Sequence, residues 1–116
     1  MPTYLKDERG IELAEPKKPS RYYVLFCVTK YRDFEQAKSE ASEMIRVHLA
    51  RSNMLHKQGN PIMALAFLNN PDEPLTTMSV FTSREAATEY AKGDPFVLNG
   101  MVSKWYIREW ANALDG

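Results

Sequence analysis

The chain has 116 residues, enough for one domain, and its 44% apolar and 26% charged content is that of a globular protein with a single modest core. Its 15 Lys plus Arg balance 15 Asp plus Glu, so the basic excess that neutralises nucleic-acid phosphates is missing and nucleic acid is not an expected partner. The one cysteine, Cys27, excludes an internal disulfide; lying in an apolar run, it reads as a buried, inert thiol, which fits a reducing compartment.

Residues 1–20 carry Pro2, Pro16 and Pro19 among evenly mixed charges and show neither helical nor strand periodicity. They are predicted to form an arm outside the core, from which Tyr4, Leu5, Ile11 and Leu13 can dock, and residues 21–116 form the domain. No stretch of the arm has the apolar run of a signal peptide. The longest apolar runs, 22–28 and 62–68, fall far short of the ~20 residues that span a bilayer. A cytoplasmic protein away from the membrane is the expectation.

Tyr22-Tyr-Val-Leu-Phe-Cys-Val28 is β-branched and aromatic and reads as the first strand. Asp33 and Gln36 have capping-box spacing, and Phe34, Ala37, Ala41, Met44, Ile45, His48, Ser52 and Leu55 then recur at three and four residues, predicting one long amphipathic helix that Gly59 ends. Residues 62–68 and 77–81 are predicted strands, joined as a hairpin by Asn69-Asn-Pro-Asp-Glu-Pro74. Thr82 and Glu85 repeat the capping-box spacing before a short helix that stops near Gly93. Asp94-Pro-Phe opens a tight turn, and residues 101–110 supply the fourth strand.

The order β-α-β-β-α-β predicts an α+β, ferredoxin-like arrangement with two helices on one face of a four-stranded antiparallel sheet. The first strand is apolar on both alternating sets, Tyr22, Val24, Phe26 and Val28 on one face and Tyr23, Leu25 and Cys27 on the other. With no sequence left for a second helical layer, a second copy's sheet is the expected cover. The expected assembly is a homodimer closing a dimeric α+β barrel.

Of the two histidines, His48 falls on the apolar stripe of the long helix, where an imidazole needs a partner. It reads either as a hydrogen-bonded core residue or as a group that exchanges a proton near neutral pH. His56, eight residues on and off that face, suits a solvent-facing place complementing the helix dipole, and the two make no metal pair. Asp94 before Pro95 is a natural cap; a carboxylate has two oxygens, so one can cap its own turn while the other holds a facing imidazole. No GxGxxG, P-loop, GxSxG, CxxC or HExxH is present, and no metal or cofactor is expected. Trp105, Tyr106 and Trp110, without a basic patch, read as strand packing and dimer contacts, and the methionines as core fillers.

Val47-His-Leu-Ala-Arg51, Gly93-Asp-Pro-Phe-Val97 with Asn99-Gly100, and the closing Tyr106-Ile-Arg-Glu-Trp110 resemble the signatures of the YciI-like family over about residues 21–110. The resemblance implies a dimeric α+β barrel in which His48 approaches Asp94 as the catalytic pair. Arg51, Ser52 and Phe96, next to that pair in sequence, are the substrate-binding candidates. The better-defined activity of the family is elimination of hydrogen chloride from a chlorinated hydroxyhydroquinone, and related barrels include muconolactone isomerases. Many members have glycines in the second and third strands; this chain has Met63-Ala-Leu-Ala66 and Thr76-Thr77, whose added side chains narrow or reshape the pocket. The resemblance therefore points to a cofactor-independent lyase or isomerase acting on a small cyclic oxygenated molecule. The alternative is a non-catalytic binding or accessory barrel, and a cofactor-free monooxygenase is third because no residue singles out oxygen chemistry.

Overall fold

The structure, a computed structural model, describes residues 5–6, 8–9, 12–13, 21–69 and 72–114. Most of the predicted arm thus lies outside the described residues. Its described strands are β1 (Leu5–Lys6) and β2 (Glu12–Leu13), which pair antiparallel in a two-stranded sheet of their own. Strands of two residues are too short for alternation to announce them in sequence.

The main sheet holds β3 (Arg21–Thr29), β4 (Met63–Ala66), β5 (Thr76–Phe81) and β6 (Val102–Ala111) in the order β4-β5-β3-β6, all neighbours antiparallel. The helices are α1 (Phe34–Lys57), α2 (Arg84–Gly93) and the single turn α3 (Pro95–Leu98). This is an α+β molecule consistent with a ferredoxin-like arrangement. β3 is central because it is the most apolar strand, and its register sets Cys27 opposite both Thr77 and Trp105. Among the described residues, no helix is long and apolar enough to cross a membrane.

The helix ends follow from the sequence with one correction. Asp33 Oδ1 accepts the Gln36 N–H at 2.8 Å, and the Gln36 side chain reaches back to the Arg32 N–H at 2.6 Å, so the capping-box residues act as predicted, displaced by one at the return bond. For α2 the cap is Ser83, whose hydroxyl accepts the Ala86 N–H at 3.1 Å, and not Thr82. Thr82 instead gives its N–H to the Asn60 side chain at 2.9 Å, because the loop after α1 comes alongside it. Two glycines end helices in the left-handed conformation. Gly59 (φ 122°) follows α1 with Gly59 and Asn60 N–H groups returning to His56 and Leu55 carbonyls; Gly100 (φ 74°) follows α3 with Gly100 and Met101 returning to Val97 and Phe96.

One feature of α1 has no sequence marker. Ala41 has non-helical dihedrals (φ −140°, ψ 35°), although no proline or glycine is near it in the helix. Before and at this kink, Ala37 and Ala41 pack with Tyr31 and Leu75; farther on, Leu55 packs with the second cluster of Leu25, Phe81, Ala87 and Tyr90. One helix thus serves both clusters.

Strand alternation divides the sheet as predicted. Leu25 and Cys27 join the cluster beneath α2, whereas Phe26 lies on the opposite face and stacks on Tyr106 at 5.1 Å between ring centroids. That opposite face carries apolar side chains that remain open: Met63 is 54% exposed, Leu65 46% and Trp110 45%.

Candidate functional site

His48 lies in the middle of α1 and Asp94 at the α2–α3 junction, and the fold brings them together. His48 Nδ1 is 2.8 Å from Asp94 Oδ1, with the Asp94 side chain almost wholly buried and the imidazole one-fifth exposed. Asp94 is placed by its own turn: Oδ1 accepts the Phe96 N–H at 3.0 Å, and Pro95 supplies the preset φ of the first helical position. The sequence predicted one oxygen for the cap and the other for the imidazole. In the structure Oδ1 takes both, because the imidazole stacks on Phe96, 4.7 Å between centroids, and so arrives from the side of the capped N–H.

The pair borders a cavity of about 270 Å³. Its wall is mainly apolar, with Phe34, Ile45, Leu49 and Phe96 from the helices and Ala64 and Ala66 from β4. Thr77 and Ser79 of β5 and Cys27 of β3 close the sheet side. No lysine or arginine is among the described residues lining it. Burial, reinforced by the Asp94 charge and opposed by a hydrogen bond to Thr77, pushes the Cys27 thiol up to about 12. It stays protonated and is no nucleophile at neutral pH.

The three substrate-binding candidates separate. Phe96 lines the cavity, whereas Arg51 and Ser52 do not. Arg51 donates to the Tyr90 carbonyl at 3.1 Å and lies over the Tyr90 ring, so it serves the C-terminal end of α2. Its guanidinium passes so close to Gly93 that a Cβ there would stand 2.5 Å from Nη2. Ser52 donates its single hydroxyl proton to the His48 carbonyl at 2.8 Å. The 2.6 Å contact between Ser52 Oγ and Tyr90 Oη must then be donated by the tyrosine. Tyr90 thus ties α2 to the turn of α1 that carries His48, and burial, ahead of the opposing Ser52 bond, raises its phenol above the usual value.

Tyr90 is the site residue that pattern reading passes over, since a tyrosine on an apolar helix stripe reads as core. Its one signal is spacing: it stands four residues, one helical turn, before Asp94. His56 is exposed as predicted but is held by the loop, its Nδ1 lying 2.6 Å from the Pro61 carbonyl. Among the described residues no group of three or more His, Cys, Asp or Glu side chains comes together around a metal position.

No protein-family model matches the chain, and no curated protein matches it. The chemistry of the site itself must carry the functional reading.

Proposed function

We propose that this chain is a YciI-like, cofactor-independent lyase or isomerase that moves a proton on a small, uncharged, cyclic and oxygenated molecule, a chlorinated hydroxyaromatic being the leading class. The observation that carries this is the 2.8 Å contact between His48 and a buried carboxylate at the edge of a cavity whose described lining residues include no lysine or arginine. Asp94 Oδ1 already accepts one N–H from Phe96, so it holds His48 by accepting Nδ1–H. Nε2 is then the ring atom that carries the lone pair and serves as general base. As Nε2 takes the proton, the imidazolium faces the buried Asp94 carboxylate, which stabilises the charge. In an elimination the pair of the broken C–H bond forms the new double bond and chloride leaves with its own bonding pair; in an isomerisation the proton returns at another carbon.

A thermal-shift screen of dihydroxyaromatics, chlorinated quinols and lactones finds ligands whatever chemistry follows. Turnover of the hits is expected to fall at least ~100-fold in His48→Asn and Asp94→Asn, with the folded state kept. Full turnover in His48→Asn would exclude the dyad. Binding without turnover of any hit would favour the accessory-barrel reading.

The barrel is part of the same proposal: two copies pair through the open sheet face, with Met63, Leu65 and Trp110 buried between them. Size exclusion with light scattering is expected to return a dimer mass, and Leu65→Glu a monomer. A monomer for the unaltered chain at micromolar concentration rules the barrel out.

A further inference from the structure

The cavity has a neighbour. An outer groove of about 520 Å³ runs past Phe67, Leu68 and Asn69, and two residues, Phe34 and Leu75, line both spaces. Those two walls differ in kind. Leu75 is buried, its N–H donates to Tyr31 O at 2.8 Å, and its carbonyl accepts the Thr29 N–H at 2.9 Å and the Thr29 hydroxyl at 2.7 Å. Phe34 is the first residue of α1 and 40% exposed, and its ring is touched by the Lys38 ammonium, 5.1 Å from the centroid. Beyond it the groove carries the exposed Phe67 and Leu68 beside the polar Asn69 and Glu73 and an Arg32–Asp33 ion pair at 3.3 Å.

We propose that Phe34 is the specificity-determining wall of the site: its ring ends the cavity and sets the longest ligand that His48 and Asp94 receive. The inference rests on the reading of the cavity as the ligand site. It assigns to the site compact, uncharged ring compounds without a long substituent. Removing the ring joins the cavity to a groove whose surface suits an apolar chain, and each methylene that gains apolar cover there strengthens binding about fourfold.

The test uses 4-alkylphenols as probes, from phenol through 4-ethylphenol and 4-butylphenol to 4-hexylphenol, titrated calorimetrically into the full chain. The unaltered protein is expected to bind phenol and to lose at least tenfold in affinity by 4-hexylphenol. In Phe34→Ala the ratio of 4-hexylphenol to phenol affinity should rise at least tenfold. Phe34→Leu, which keeps an apolar side chain in the first helical turn, should fall between the two, and Phe34→Trp should shorten the limit. Affinity that climbs smoothly with chain length in the unaltered protein overturns the wall and leaves the cavity reading in place, as does one length limit shared by the Ala and Leu variants. Absence of phenol binding, or phenol binding that His48→Asn leaves unchanged, overturns the cavity reading and this inference with it.

Discussion

His48 and His56 stand eight residues apart on α1, the first turned to a buried carboxylate and the second to the Pro61 backbone carbonyl. Each contact holds Nδ1 with an oxygen within 2.8 Å, so distance alone does not separate them. The partner and the surroundings do. A carboxylate compensates an imidazolium and a carbonyl does not, and Asp94 is 2% exposed whereas His56 sits at the solvent-facing end of its helix. One histidine borders a cavity; the other pins the loop that carries Asn60 to Thr82. Position on the helix, by choosing the partner, sets the same side chain against a backbone carbonyl in one case and a buried carboxylate at a cavity edge in the other.

The sharpest way to break this contrast is Asp94→Ala. It leaves the His48 ring nitrogen and the Phe96 N–H without their shared acceptor in a buried place and removes the cap of α3. The expected loss is about 3 kcal/mol, on the order of 12 °C in Tm, followed by thermal or urea denaturation. A loss below about 1 kcal/mol would show that the carboxylate is not the anchor of this region.

A second effect reads the same region through Cys27. Burial holds its folded-state pKa at about 12, above the 9.0 of a free thiol. The unfolded chain therefore ionises first as pH rises, the native state holds more protons, and stability present below pH 9 is lost as pH climbs toward 12. Between pH 8 and pH 10 the fall attributable to Cys27 is on the order of 1 kcal/mol, measured by urea midpoints. In Cys27→Ala that part of the fall should vanish, and a curve identical to that of the unaltered chain would refute the assignment.

The smallest change is expected at the other histidine. His56→Ala removes one hydrogen bond at an exposed position, which costs roughly 0.5 kcal/mol. The NMR signals of the His48 ring should not move. If they do, the two histidines are coupled through α1 and the contrast drawn between them is too sharp.

Local chemistry wrote much of this molecule into its sequence. The β-branched and aromatic run of β3, the Asp33 cap, the three- and four-residue recurrence of α1 and the glycine at 59 each act through neighbours within a few residues, so pattern reading reaches them. The cap of α2 fell to Ser83 because Thr82 was claimed by Asn60, twenty-two residues away, and no local rule sees that claim. The same holds for the kink at Ala41 and for Arg51, which α2 uses at its C-terminal end. For the site, residue identity and apolar spacing made His48 and Asp94 candidates, each able to be satisfied separately. Only the packing of α1 against the α2–α3 junction set them 2.8 Å apart, gave both contacts to one carboxylate oxygen and drew Tyr90 in through Ser52. A partner 46 residues distant in the chain is chosen by how whole elements dock, and that choice depends on burying every stripe at once rather than on any one segment's preference.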